Sequence, residues 1–341
     1  MEIDFSKLKI SELLPNSEFE EKVIKFIKNW FLPESSVQVQ TSGSTGIPKI
    51  IQVDKSKMLY SAKMTMDYLK LKEGDLALLC LPIEYISGKM MVVRSLARKL
   101  QLKIHSPTTT PLQALSSPVD FAAVTPLQVE NSLDKLHYIK NLIIGGAGVA
   151  EQLQQKIKAQ LDNSGYNGKI YETYGMSETL SHIALKELYP KKEDFFTAFE
   201  GVTIKVDQRG CLIIQAPGVS DEVIVTNDLV EIINENQFRF LGRADNVINS
   251  GGLKVMPEEI EKVLNSLTDR TIVIFPRDDE KLGQKICLAI EGDTDEELIE
   301  AINNFSFEKK AYRPKEIHFL EKVPRIPNGK LDRLSLKKRF N

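Results

Sequence analysis

The chain has 341 residues, 42% of them apolar and 27% charged, and its 45 Lys and Arg against 47 Asp and Glu leave a net charge of −2. That length favours two domains with a core large enough to fold without staples, and the near-zero charge supplies no overall field to draw the chain onto nucleic acid or an acidic membrane, which disfavours either as the main partner. Cys80, Cys211 and Cys287 stand apart in apolar runs and read as buried small hydrophobes; without a CxxC pair, and with His105, His137, His182 and His318 unpaired, neither a disulfide framework nor a structural zinc site is expected. The acidic start, and the absence of any apolar run near the roughly 18 residues of a membrane span, argue against a signal peptide or anchor and for a cytoplasmic setting.

Residues 17–30 place Phe19, Val23, Phe26, Ile27 and Trp30 on one helical face, with Ser17 and Glu20 at capping-box spacing. TSGSTGIPK, residues 41–49, is a polar, glycine-punctuated loop between two strand-like segments. From residue 75 to 174 short apolar runs (LALLCLP, LKIH, FAAV, NLIIGG, KIYETYG) alternate with helical patterns (GKMMVVRSLARKL, a helix from about Leu127, EQLQQKIKAQL), the rhythm of βαβ units and a mainly parallel sheet whose ligands gather at the carboxyl ends of strands. Residues 201–241 turn to alternation with turns at Asp207 to Gly210 and Asn234 to Asn236, predicting antiparallel strands. Beyond Arg243 a helix opening on Pro257, the strands TIVIF and KICLAI, the helix DEELIEAINNF and the strand IHFL predict a compact α+β unit.

Four segments can carry chemistry. TSGSTGIPK offers Thr41, Ser42, Ser44 and Thr45 hydroxyls, Gly43 and Gly46 to turn backbone N–H groups toward one point, and Lys49, a set able to wrap a triphosphate although it is not a P-loop. YGMSET ends a strand with Tyr174, then Ser177, Glu178 and Thr179, placed to hold Mg²⁺ on a nucleotide. TNDL sets Asp228 in a strand-flanking turn suited to a ribose diol, and RIPNGKLDR holds Lys330 out on a turn. Each has an ordinary reading alone, as a surface loop, strand aromatics with a cap, a turn former and a solvated lysine; their occurrence in one order on one chain changes the balance.

In that order the segments resemble the acyl-adenylate-forming superfamily, which includes acyl- and aryl-CoA synthetases, peptide-synthetase adenylation domains and luciferases. TSGSTGIPK is similar to its phosphate loop, YGMSET to its adenine and magnesium segment, TNDL to its ribose turn, GRADNVINSGGLKVMPEEIE to its hinge, and RPK with PRIPNGKLDR to its carboxy-terminal lysine segment. The resemblance implies an α/β large domain over residues 1–243, its front shortened because only about 40 residues precede the phosphate loop, and a small mobile α+β lid over 244–341. It implies that a carboxylate attacks the α-phosphorus of ATP to give acyl-AMP and pyrophosphate, after which a thiol, usually that of coenzyme A, displaces AMP. Residue by residue, Thr41, Ser42, Gly43, Ser44, Thr45, Gly46 and Lys49 would grip the phosphates, Glu178 would hold Mg²⁺ and Thr179 would touch the α-phosphate. Tyr174 would flank adenine beside Gly145, Gly146, Ala147, Gly175 and Met176; Asp228 and Arg243 would bind ribose; Lys330 would bridge the carboxylate and α-phosphate; Asp245 would be the pivot, and Ser250, Gly251 and Gly252 would line the thiol's approach. Asn227 stands where the family usually has glycine, and asparagine tolerates a left-handed turn.

LPIEYISGKMMVVRSLARK resembles the FHxSG segment of o-succinylbenzoate:CoA ligases of menaquinone biosynthesis, with Tyr85 in place of histidine and Ser87-Gly88 retained. That substrate has a second carboxylate, so the resemblance makes Lys89 and Arg94 candidates to hold it, with Ser177 also at the acyl pocket. Another aryl or acyl acid, a carrier protein as thiol donor, and a nucleotide-binding module without turnover remain the alternatives. The expected partners are a small carboxylic acid, ATP and CoA, with no nucleic acid and no membrane span; a homodimer is admitted.

Overall fold

The computed structural model describes residues 1–40, 50–325 and 331–340. The helix Glu18–Trp30 begins where Ser17 accepts the Glu20 N–H at 3.2 Å and buries Val23, Phe26, Ile27 and Trp30. The capping box is only half formed: the Glu20 carboxylate takes the Met1 ammonium and the Asn16 N–H, each at 2.7 Å. A charged donor outcompetes the neutral Ser17 amide.

A twelve-stranded sheet organises the first 243 residues. Its strands Gln101–Ile104, Leu76–Leu79, Val119–Val124, Ile139–Ile144 and Lys169–Gly175 lie side by side and parallel. Successive residues point to opposite faces, so Leu79, Phe121 and Ile143 pack under the amino-terminal helices while Leu78, Ala122 and Leu142 pack against Leu153, Ile157 and Leu161 of the helix Glu151–Leu161.

Pairing turns antiparallel at His182–Tyr189, about twenty residues before the alternation signal, and continues through Phe196–Ala198, Gln237–Arg243, Ile224–Asn234, Cys211–Gln215 and Thr203–Val206. His182–Tyr189 is buried on both faces and so lacks the period-two signature of a half-exposed strand. The strands Ser36–Gln40 and Ile50–Asp54 form the hairpin expected around the phosphate loop. The helix Lys55–Tyr68, which the sequence reading passed over, packs on the helix Ile86–Arg98.

A separate five-stranded sheet follows Arg243. Leu253–Val255, Ile248–Ser250, Gly283–Glu291 and Ile272–Asp279 are successive neighbours, and Glu316–Leu320 runs parallel to Gly283–Glu291. The helices Pro257–Leu264 and Glu296–Asn304 cover one face through Ile260, Leu264, Leu298 and Ile302; Leu336 of the closing helix Arg333–Phe340 meets Phe275 and Ala289 on the other. The architecture is α/β for the large sheet and α+β for the small one. Among the described residues no strand pairing joins the two sheets.

Candidate nucleotide and acid site

Ile139–Ile144 and Lys169–Gly175 are parallel neighbours with Ile144 opposite Glu172, so the GGAG loop and the YGMSET segment leave the sheet side by side at its carboxyl edge. Gly145 donates its N–H to the Val124 carbonyl at 2.9 Å. A Cβ on Gly145 would stand 2.7 Å from the Thr173 hydroxyl, and Gly146 has a φ of +87°; Ala147 is exposed beyond them. At Gly175 a Cβ would lie 2.5 Å from the Cα of His182, so only glycine lets the two strands meet there.

Met176 is half-buried, and Ser177 and Glu178 are exposed on the turn that follows. Thr179 has no exposed surface: its hydroxyl accepts the Met176 N–H at 2.9 Å and donates to the Ser181 carbonyl at 2.8 Å. Thr179, expected to touch the α-phosphate, here locks a turn in which Leu180 is forced to a φ of +65°. Glu178 has no salt-bridge partner among the described residues and, as an exposed carboxylate, fits a hard divalent cation.

Asp228 stands inside the strand Ile224–Asn234, not in a flanking turn, and is in register with Arg243 on the neighbouring strand. Arg243 donates to Asp228 at 3.2 Å and to Asp245 at 2.7 Å, while the Tyr174 hydroxyl donates to the other Asp228 oxygen at 2.6 Å. Tyr174, expected to flank adenine, is buried edge-on to Phe238 and tilted against Phe196, so its ring lies among these side chains. Burial and then the Asp228 charge push its phenol pKa far up, so it acts as a hydrogen donor. Asn227 is not in the left-handed region, because the strand keeps it extended; it reaches Asp245 at 3.4 Å. Arg209, which the sequence reading missed, holds Asn227 at 3.0 Å and the Thr226 carbonyl at 3.1 Å. Its only local signal was its place in the turn Asp207 to Gly210.

Tyr85 caps the helix Ile86–Arg98 without a side-chain bond, and Ser87 is exposed. Gly88 is required: a Cβ there would be 2.3 Å from the Pro82 carbonyl oxygen. Lys89 and Arg94 are five residues apart, on different faces of the helix. Lys89 donates to the carbonyls of Ile83 and Glu84 at 2.5 and 3.0 Å, beside the Phe26 ring, in a cleft of about 660 Å³ under the amino-terminal helix. It thus tethers a turn, and these two carbonyls take hydrogen bonds that the expected second carboxylate would otherwise receive.

Arg94 is 2% exposed, lies over Phe121, donates to Ser181 Oγ at 3.2 Å, leaves its Nε unpartnered and pairs with no carboxylate among the described residues. Burial lowers its pKa to about 9, which leaves it charged at neutral pH. Beside it His182 is buried, bonded to Thr65 at 3.0 Å, and held neutral by burial and by the Arg94 charge, which push its pKa well below 6.5.

Thr41 to Lys49 and Lys330 lie outside the described residues. Asp245 is exposed in a one-turn helix Ala244–Asn246 between the sheets. Ser250, Gly251 and Gly252 form the hairpin tip between Ile248–Ser250 and Leu253–Val255, with φ of +58° at Gly251 and +81° at Gly252.

Residues 5–219 match the family described as AMP-binding enzyme. The 2-succinylbenzoate–CoA ligase of Lactococcus lactis is 24% identical over 97% of this chain and 80% of its own length; that of Escherichia coli is 23% identical over 96% and 78%. An acyl-CoA synthetase (AMP-forming)/AMP-acid ligase II-like protein of Dyadobacter fermentans is 33% identical, covers 97% of both chains and superposes with a TM-score of 0.65. The fold is also similar to that of o-succinylbenzoate coenzyme A synthetase of Bacillus subtilis in complex with ATP and magnesium ion, at a TM-score of 0.73 and 21% identity over 88% of this chain and 69% of that one. With nearly two-thirds of its length inside the family match, the chain belongs to the AMP-binding enzyme family.

Proposed function

We propose that this AMP-forming acid–thiol ligase activates o-succinylbenzoate. One carboxylate oxygen of the acid bonds to the α-phosphorus of ATP as the bond to pyrophosphate breaks; the sulfur of CoA then bonds to the acyl carbon, and AMP leaves with the electron pair of the broken acyl–oxygen bond. Asp228 and Arg243 would hold the ribose at the carboxyl edge of the sheet, beside the GGAG loop and Met176. Glu178 would hold the Mg²⁺ that offsets phosphate charge. Residues 1–243 would be the body and 244–341 a lid turning at Asp245, bringing Lys330 to the reacting phosphate in one orientation and Ser250 to Gly252 to the thiol in the other. A cation fixed beside phosphorus, where charge builds on oxygen, is worth about 3 kcal/mol or more.

The observation that carries the choice of acid is Arg94. A guanidinium buried without a counter-ion and with one N–H unpaired is costly, and an anionic group brought by the ligand offsets that cost. Its bond to Ser181 sets it beside the turn after Met176, where the acyl group would lie. The names of the curated relatives support the same acid.

The test is pyrophosphate release with ATP and Mg²⁺ over a panel of acids, followed by CoA-dependent release of AMP. o-Succinylbenzoate should lead benzoate and short fatty acids in kcat/KM. A leading monocarboxylate would overturn the choice of acid, and CoA-independent release with a carrier protein preferred would overturn the choice of thiol.

A further inference from the structure

Behind the turn that follows Met176, four side chains from three elements are joined end to end. Arg94 Nη2 donates to Ser181 Oγ at 3.2 Å, Ser181 Oγ lies 3.4 Å from His182 Nδ1, His182 Nε2 lies 3.0 Å from Thr65 Oγ, and the Thr65 hydroxyl donates to the Ser61 carbonyl at 3.3 Å. Arg94 comes from the helix Ile86–Arg98 and Thr65 from the helix Lys55–Tyr68, while His182 opens the strand His182–Tyr189 in register with Gly175 at the end of the YGMSET strand. The imidazole is buried edge-on to the Phe199 ring, with centroids 5.5 Å apart, which holds its plane.

The chain of bonds has a direction. A guanidinium can only donate, so Ser181 Oγ accepts from Arg94. His182 is neutral, because burial and the Arg94 charge push its pKa well below 6.5, so one ring nitrogen carries hydrogen and the other accepts. With the hydrogen on Nε2 every group has a partner: Nε2 donates to Thr65, Thr65 donates to Ser61, and the Ser181 hydroxyl donates to Nδ1. With the hydrogen on Nδ1 the Ser181 hydroxyl would have no acceptor in this set. Arg94 depends on the outcome, since its Nη1 meets only the Met91 sulfur at 3.7 Å and its Nε has no partner, which leaves Ser181 as its one oxygen acceptor among the described residues.

We infer that His182 is a positioning residue for the choice of acid: by accepting the Ser181 hydrogen at Nδ1 it turns a Ser181 lone pair to Arg94, and so fixes the guanidinium that receives the second carboxylate. This rests on the assignment of that carboxylate to Arg94.

The experiment compares His182→Leu, which offers no acceptor, with His182→Asn, whose amide oxygen keeps one in the place of Nδ1, each alone and combined with Arg94→Lys. Pyrophosphate release with ATP and Mg²⁺ gives kcat and KM for o-succinylbenzoate and for the best monocarboxylate of the panel, with a thermal melt alongside. His182→Leu should raise the KM for o-succinylbenzoate roughly 3- to 10-fold, the range for one oriented hydrogen bond, and leave kcat and the KM for the monocarboxylate and for ATP within about twofold. His182→Asn should keep the KM for o-succinylbenzoate near that of the parent. Packing alone predicts the reverse order, because leucine fills the buried site better than asparagine. On the Arg94→Lys background His182→Leu should add no further loss, as for two residues acting through one contact. Thr65→Val, which deletes the acceptor of Nε2–H at little change of shape, should raise the same KM and serves if His182→Leu does not fold. Equal losses for both acids, a KM that follows only the melting temperature, or full additivity with Arg94→Lys would overturn the inference. If Arg94→Lys changes the ratio of the two KM values and His182→Leu does not, the inference alone fails; if Arg94→Lys leaves that ratio unchanged, the reading of Arg94 fails and the inference with it.

Discussion

Arg243 and Asp228 face one another across two antiparallel strands, and the same guanidinium that holds Asp228 at 3.2 Å holds Asp245 at 2.7 Å. The side chain assigned to the ribose and the side chain assigned to the pivot therefore share one cation, so a change at either is felt at the other.

Asp228→Asn removes a charged acceptor from Arg243 and from the ribose proposed to bind there. The Asp228 carboxylate already accepts from Tyr174 and Arg243, so a bond to a sugar hydroxyl returns only a modest net energy of about 1 kcal/mol, and ATP binding measured by calorimetry should weaken by roughly 3- to 10-fold. Unchanged affinity would mean that the ribose is held elsewhere.

Arg94→Lys should raise the KM for o-succinylbenzoate far more than that for benzoate, because only the first acid brings a second carboxylate. Lys89→Ala should leave the ratio of the two KM values where it was, since its ammonium is spent on the Ile83 and Glu84 carbonyls. Parallel changes for both acids in the Arg94 variant would remove the spectator-carboxylate assignment.

Gly88→Ala forces a methyl group to within 2.3 Å of the Pro82 carbonyl oxygen, a backbone atom that cannot swing aside. Overpacking of this kind costs about 1–3 kcal/mol or more, so the melting temperature should fall by several degrees. An unchanged melt would mean that the start of the helix shifts freely.

His182 gives the acid limb of stability a definite sign. Its pKa in the folded chain lies well below 6.5, lowered by burial and by Arg94, so below about pH 6.5 the unfolded chain binds a proton that the native chain refuses. Its contribution is intact above that value and is lost as the pH falls, by up to about 1.4 kcal/mol per unit. Melting at pH 7.5 and 5.5 should show a smaller drop for His182→Gln than for the parent; equal drops would place the acid sensitivity elsewhere.

Periodicity disclosed the parallel strands and their crossovers because each of those segments is apolar and bounded by turn residues. It missed the helix Lys55–Tyr68, whose buried side includes Ser61 and Thr65 as well as methionines and so blurs the apolar stripe. It also missed His182–Tyr189, which is apolar on both faces. Motif order put forward Asp228 and Arg243, which the fold brings into contact, and the GGAG loop beside the YGMSET segment, but not what a side chain does once its neighbours arrive. Thr179 turned inward because two backbone groups lay within reach, and Tyr174 because Asp228 offered an acceptor 54 residues away.

The bond from Tyr174 to Asp228 makes an incoming sugar a rival to the protein's own phenol. On the proposed placement of the nucleotide, every hydroxyl it presents to that carboxylate returns only the difference between two similar bonds, so the ribose would orient the nucleotide and the phosphates would supply most of the grip. A ligand stripped of its phosphates, such as adenosine, should accordingly be held poorly however well it fits.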